Sequence, residues 1–374
     1  MGLIAPPISA ESGFAPGFVG RIPVRNLWLL MLYASDLYRS IGKGTVAVED
    51  NPDDIPDLVA EILAHAVEER LRQNLSSGFR QREAELTRVR GRIDMLTTER
   101  HQLLTRGKVA CRFEELTIDT PRNRLVLAAL VEISTVVRRP ALSHRCRNLA
   151  NTLKRLGVSG LRPTRSEIST DRFGRNDAKD RFMVAAAQLA LDIALPTEGD
   201  GGDYLALPDR EEIWVRRLYE RAVGGFYQVV LSQDGWQVYT GKPLGWQINA
   251  KTTGIDSILP SMRTDVVLDH VAGGRRIVID TKFNSIVTKG WFREESVRSG
   301  YVYQIYAYLM SQSGSVDSLA QCACGLLLHP AIGQSVDETV VIQGHPIRFA
   351  TVDLTAPALA IRQQLLDVLN FPLH

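Results

Sequence analysis

The chain is predicted to be an α/β protein in two parts, residues 1–172 and 173–374. Three observations predict this. The 374 residues are 45% hydrophobic and 23% charged, enough for two cores at roughly 100–200 residues per domain. Helix-like and strand-like periodicities alternate along the whole length. A polar, turn-rich stretch from Gly160 to Asn176 separates segments of opposite charge. Residues 1–172 hold 26 Lys+Arg against 20 Asp+Glu, and residues 173–374 hold 18 against 22.

In order, residues 1–20 are rich in Pro, Gly and Ala and read as a loose arm. The run IPVRNLWLLMLYASDLY predicts one buried helix over 22–38. Residues 55–75 set Leu58, Ile62, Leu63, Ala66, Val67 and Leu71 at helical spacing. Segment 79–120 alternates and holds Gly91 and Gly107, so strands and hairpins are expected. Helices follow at 122–137 and 144–157, giving the first part a mixed α+β character. In the second part, helices are predicted over 178–194, 209–230, 296–312 and 356–369. Strand-like runs lie at 235–240, 262–269, 275–283, 323–329, 338–343 and 347–353. Helices interleaved with strands predict one central mixed sheet flanked by helices.

Several function classes are excluded. No apolar run approaches the ~20 residues of a membrane span, and the N-terminus has no basic start leading into an apolar segment. A cytoplasmic, non-membrane protein is expected. Cys322 and Cys324 are two apart, but no second pair or nearby histidine completes a zinc set. Buried thiols in a reducing compartment are the reading for the four cysteines. Gly42-Lys43-Gly44-Thr45 lacks the earlier Gly and the Ser/Thr directly after Lys that a phosphate loop requires. No nucleotide is therefore expected on this chain. From Ile133 to Ser166 there are Arg138, Arg139, Arg145, Arg147, Lys154, Arg155, Arg162 and Arg165 and no acid. That run reads either as a phosphate-neutralising surface or as a solvated helix face.

The segment MRTDVVLDHVAGGRRIVIDTKF, residues 262–283, carries the chemistry. Two strand-like runs flank Val271-Ala272-Gly273-Gly274, whose paired glycines supply the positive φ of a tight connection. Asp265 lies as far before this turn as Asp280 lies after it. A symmetric hairpin then sets them opposite each other, with Cβ atoms about 5 Å apart. The side-chain period of two puts Asp280 and Lys282 on one face. Val266, Val267, Leu268, Ile277, Val278 and Ile279 surround these charges, so burial is expected, and an unpaired buried carboxylate is costly. A divalent cation shared by both compensates. Oxygen ligands without His or Cys favour Mg²⁺ or Mn²⁺ over zinc. Such a set suits metal-assisted phosphodiester hydrolysis. The metal acts as Lewis acid and lowers the pKa of a bound water. Lys282 orients that water or stabilises developing charge, and the Thr281 carbonyl is a further ligand. The same residues also read as a surface ion pair, Asp280–Lys282, with Asp265 merely ending a strand. Arg263, two residues before Asp265, either touches a phosphate or bridges to Asp280 or Glu220.

Asp265 and the triplet Asp280-Thr281-Lys282 resemble the PD-(D/E)xK nucleases, whose pattern is an acid, a hairpin, then Asp/Glu-x-Lys. The resemblance implies a restriction-endonuclease-like fold for 173–374. It adds Glu220 in LYERAVGGFY, a carboxylate on a helix before the sheet that joins the metal shell. It also adds Gln304, which with Tyr308 fits a Gln-x-x-x-Tyr helix after the lysine, both on one helix face. Over the whole chain, IPVRNLWLLMLYA (22–34), VRGRIDM (89–95), CRFEELTIDTPRNRL (111–125), LYERAV (218–223), LPSMRTDVVL (259–268) and IDTKF (279–283) resemble the McrC family. Its members are nuclease partners of the McrB GTPase in modification-dependent restriction. That implies that residues 1–172 dock on a hexameric AAA+ GTPase or ATPase, while 173–374 cut double-stranded DNA. The implied catalytic residues are Asp265, Asp280, Lys282, Glu220 and Gln304, and the implied Mg²⁺ ligands are Asp265, Asp280, Thr281 and Glu220. An alternative of another class is a non-catalytic regulator that stimulates an AAA+ motor and contacts DNA through a relic of the fold.

Overall fold

A computed structural model of the chain describes residues 18–19, 22–41, 52–171, 178–194, 208–288, 296–313, 317–332 and 334–371. The expected arm falls almost wholly outside the described residues, as does the stretch 42–45. Two compact units form. One is Asp54–Glu198, and the other joins Met1–Asp53 to Gly199–His374.

The predicted helix over 22–38 is two helices, α1 (Val24–Ala34) and α2 (Asp36–Ile41). Ser35 breaks them. Its backbone is extended, and its hydroxyl accepts from the Tyr38 amide at 3.1 Å, starting the second helix.

In the unit Asp54–Glu198, α3 (Ile55–Arg72) precedes a three-stranded antiparallel sheet of β1 (Gly78–Leu86), β2 (Arg92–Ile93) and β3 (Val109–Thr117), with β3 central. A short helix, Met95–Arg100, was not predicted. Asp94 caps it by accepting from the Thr97 amide. Next come α4 (Pro121–Val136) and α5 (Pro140–Leu156), each with proline in its first turn, and then α6 (Ala178–Ala194). Helix α6 packs on α3 and α4. The division expected at 172 is therefore corrected at both ends. Buried Arg122 of α4 reaches Asp171 at 2.7 Å and Asp180 of α6 at 3.0 Å, and Arg70 of α3 reaches Asp180 at 2.8 Å. A charge cluster at this depth needs all its members, so 178–194 stays with this unit. The first residues leave it, because buried Asn26 donates to the carbonyls of Leu354 (2.8 Å) and Ala356 (3.0 Å) near the C-terminus. Part of the basic run is spent internally. Arg139 pairs with Asp57 and Glu61, and Arg145 with Glu68.

The other unit is built on α7 (Pro208–Val230) and one mixed sheet. Its strands are β4 (Gln237–Thr240), β6 (Val266–His270), β7 (Arg275–Thr281), β8 (Cys324–Pro330), β9 (Asp337–Ile342) and β10 (His345–Val352). The order is β9-β10-β8-β7-β6-β4. Strands β7, β8 and β10 run parallel and the outer pairings are antiparallel. The central strands read RRIVIDT and CGLLLHP, near-continuous apolar runs, because a parallel centre is buried on both faces. A two-residue strand, β5 (Met262–Arg263), pairs with Pro243–Leu244. Helices α8 (Ser299–Met310) and α9 (Ala358–Asp367) complete the unit. It is thus an α/β layer with a central mixed sheet flanked by helices.

Helix α7 lies close to its neighbours because of Gly224-Gly225. A Cβ at Gly225 would stand 2.0 Å from the Tyr33 carbonyl oxygen, and one at Gly224 would stand 2.7 Å from Thr240. The tilted rings of Tyr33 and Phe226, 5.1 Å apart, fill the same contact. This contact fixes the preceding turn of α7, which carries Glu220 and Arg221.

Candidate active site

The hairpin forms in the predicted register. Val266 pairs with Ile279, Leu268 with Ile277 and His270 with Arg275. The turn closes through the Gly274 amide on the Val271 carbonyl at 3.1 Å. Only Gly274 of the two glycines takes a positive φ, +59°. Pairing stops one residue short of Asp265 and Asp280, because the Asp265 carbonyl turns to accept the Gly241 amide at 2.8 Å. The Asp265 carboxylate crosses to the other strand end. It accepts from the Thr281 amide (2.7 Å) and the Thr281 hydroxyl (2.8 Å).

Asp280 is fully buried on β7, and Lys282 is only 6% exposed. The Lys282 Nζ lies 2.7 Å from Asp280 Oδ2, so the pair exists but is not a surface pair. Asp280 Oδ1 has no hydrogen-bond partner among the described residues. Burial pushes the Asp280 carboxyl up to about 6. Lys282 pulls it back and Asp265 pushes it further. Desolvation outweighs the attraction of the lysine.

Glu220 sits on the exposed side of α7. Partial desolvation, then the charge of Asp265, raise its pKa, while Arg216, Lys282 and Arg263 oppose the rise. It lies within electrostatic reach of the site without a hydrogen bond or ion pair to it. Gln304 is held within its own helix. Its amide donates to the Tyr308 hydroxyl (2.6 Å), which donates to the Arg263 carbonyl (2.8 Å). Gln304 thus braces the strand leading to Asp265. Arg263 bridges to neither Asp280 nor Glu220. Its Nε donates to the Gly241 carbonyl at 2.9 Å.

Among the described residues, no three His, Cys, Asp or Glu side chains form a ready metal cage. The fit to a hard cation rests on the chemistry of the donors. One fully buried carboxylate oxygen is unmatched, and a second carboxylate stands at the adjoining strand end. Of the cysteines, Cys111 and Cys146 are buried as expected, but Cys322 is exposed.

His329 on β8 was not singled out from the sequence. It is fully buried, and Leu327 and Leu328 before it pair with Asp280 and Thr281. Its Nδ1 faces the Asn284 carbonyl at 3.0 Å, while Nε2 has no partner among the described residues. Burial, helped by Lys282 and Arg298, lowers its pKa to about 4, so it is neutral. The Tyr301 ring lies near both His329 and Lys282. Its centroid is 5.8 Å from that of His329 and 5.3 Å from the Lys282 ammonium. Only the parallel β7–β8 pairing brings His329 here, and no local sequence signal encodes that pairing.

Residues 4–319 match the family described as McrBC 5-methylcytosine restriction system component. The chain is 24% identical over 352 residues to the Type IV methyl-directed restriction enzyme EcoKMcrBC of Escherichia coli (strain K12), covering 93% of this chain and 97% of that protein. Two solved structures show weaker likeness. One is a half-complex from a tetradecameric assembly of Thermococcus gammatolerans McrB AAA+ hexamers with bound McrC (TM-score 0.41, 14% identity, 92% of this chain and 76% of that chain). The other is the Thermococcus gammatolerans McrBC complex (TM-score 0.31, 15% identity, 50% of this chain and 61% of that chain). At these TM-scores neither bears on fold or function. The family match spans most of the sequence and includes the hairpin with Asp265, Asp280 and Lys282, and the chain belongs to the McrBC 5-methylcytosine restriction system component family.

Proposed function

We propose that this chain is the DNA-cutting subunit of a McrBC-type restriction system, with a PD-(D/E)xK site that hydrolyses phosphodiesters. The observation that carries the reading is Asp280. A carboxylate with no solvent exposure, one unmatched oxygen and a lysine at 2.7 Å is costly to keep. Such a group is expected at a working site. Asp280 and Asp265, with the Thr281 carbonyl and Glu220, would hold Mg²⁺, with Mn²⁺ as substitute. The ion supplies Lewis-acid polarisation of the phosphate and a water of lowered pKa. Thr281 holds the Asp265 carboxylate in place through two hydrogen bonds. Lys282 places a cation beside Asp280, where it stabilises charge on the attacked phosphate. The brace from Gln304 through Tyr308 keeps the Asp265 strand in register.

The expected setting is a complex with a McrB-like AAA+ GTPase or ATPase hexamer that this chain binds and activates. The E. coli relative is named as a methyl-directed restriction enzyme, which supports double-stranded DNA as substrate. Residues 173–374 are net acidic, which supports delivery of DNA by a partner. The test is the complex carrying Asp280→Ala. It should bind DNA and hydrolyse nucleotide at wild-type rates but not cut. Cutting retained by that variant refutes the assignment, and a wild-type complex that never cuts favours the non-catalytic regulator.

A further inference from the structure

A groove of about 900 Å³ opens beside the site and lies wholly within its unit. Its floor is one face of α7, from Glu220 and Arg221 to Val229, continued by Ser232 and Gln233 in the turn after the helix. At 1.5 Å per residue the helical part of that floor is ~15 Å long. Its wall runs from Thr240 and Gly241 to Arg263 and Asp265. The acids Glu220 and Asp265 therefore mark the reacting end, and the groove leads away from it.

Beyond that end the lining changes in chemistry. Arg221 donates to the Ala34 carbonyl at 3.1 Å and Arg263 to the Gly241 carbonyl at 2.9 Å. Neither has a carboxylate partner among the described residues. Each guanidinium is thus oriented through one nitrogen and keeps its charge and its other donors. Gly241 makes room for this, since a Cβ there would stand 2.6 Å from the Arg263 guanidinium. Amide and hydroxyl groups of Gln228 on α7 and of Ser232 and Gln233 in the turn after it continue along the groove. No aromatic ring lines the groove among the described residues, so stacking of bases is not what it offers. Oriented arginines followed by neutral donors match the sugar–phosphate backbone. At ~3.4 Å of axial rise per nucleotide, the groove accommodates several successive phosphates.

We propose that this groove binds the backbone of the DNA strand beside the scissile phosphate, with Arg221 and Arg263 each contacting a flanking phosphate. The inference rests on reading Asp265, Asp280 and Lys282 as a DNA-cutting site.

The test is binding of the full chain to duplex DNA with Ca²⁺ in place of Mg²⁺, between about 50 and 200 mM salt. The slope of log Kobs against log salt should shrink by about 0.9 for Arg221→Gln and again for Arg263→Gln. The effect should be the same on duplexes of unrelated sequence. Arg221→Lys should keep the wild-type slope, which separates charge from lost packing against Ala34. Slopes unchanged in both glutamine variants, with melting curves like wild type, overturn the proposal while leaving the cutting assignment untouched. Slopes that fall as expected in a protein that never cuts DNA, alone or with an AAA+ partner, uphold the groove and overturn the cutting assignment.

Discussion

Asp280→Asn is expected to stabilise the metal-free protein while abolishing its function. The Asp280 carboxyl titrates near 6 in the fold against an ordinary 3.8. At ~1.4 kcal/mol per tenfold change in proton affinity, ionised Asp280 costs the fold about 3 kcal/mol at pH 7. The attraction of Lys282 is already inside that balance. For a carboxyl with a raised pKa, the unfolded chain releases its proton first. Stability therefore falls as pH rises from about 4 to about 6 and is flat above. His329 works in the opposite direction. Its ordinary 6.5 drops to about 4, so the unfolded chain takes up its proton first. Stability is then lost as pH falls from about 6.5 to about 4, again by about 3 kcal/mol. In wild type these two contributions nearly cancel. The Asp280→Asn variant keeps only the His329 contribution, so its stability should climb from about pH 4 to about pH 6.5. At pH 7 it should exceed wild type by up to about 3 kcal/mol, or roughly 6–12 °C in Tm. The assay is urea unfolding in chelator, followed by tryptophan fluorescence. All five tryptophans lie outside residues 54–198, so the signal reports the unit with the site. Added Mg²⁺ should stabilise wild type and not the variant. A variant less stable than wild type at pH 7 would show that the Lys282 attraction outweighs desolvation, and the reasoning fails.

Three further outcomes are expected. His329→Gln retains a polar acceptor near the Nε2 position, whereas His329→Asn can restore only the contact that Nδ1 makes with Asn284. Cutting should survive the glutamine substitution and drop roughly 10–100-fold with asparagine, and the reverse order in a cleavage assay would assign His329 a purely structural role. Tyr308→Phe removes a hydroxyl that links Gln304 to the Arg263 carbonyl. It should cost about 1–2 kcal/mol in urea unfolding and slow cutting without weakening DNA binding. Arg122→Leu strips buried Asp180 of one of its two arginines. It should destabilise the unit Asp54–Glu198 by about 3–5 kcal/mol, seen by circular dichroism, with the tryptophan transition in place. A shift of both transitions together would mean that the two units unfold as one.

The sequence exposes what is local. The β6–β7 hairpin is legible because turn, alternation and charges lie in one contiguous stretch, and its register follows from symmetry about Val271–Gly274. Helices α3, α4 and α7 are legible from the spacing of their apolar residues. Partners distant in sequence are not legible. The turn-rich stretch near 160–176 reads as a boundary, yet Arg122 and Asp180 join across it. The basic run after Ile133 reads as a phosphate-neutralising surface or a solvated helix face, yet acids of α3 neutralise Arg139 and Arg145. His329 arrives beside Lys282 only through a parallel pairing.

The hairpin itself shows why three-dimensional partners decide function. It carries three aspartates near the turn, Asp265, Asp269 and Asp280. Asp269 is nearly as buried as Asp280 and also faces a cation. Both of its oxygens are satisfied by Arg276, at 2.6 and 2.7 Å, so it acts as a fastener between the two strands. Asp280 meets only the single ammonium of Lys282, and its other oxygen is left unmatched. A planar guanidinium can close a carboxylate, but a lysine opposite a buried aspartate leaves one lone-pair edge open. Under the proposed assignment that open edge is where a cation would bind, and it separates Asp280 from the structural aspartate in the same hairpin.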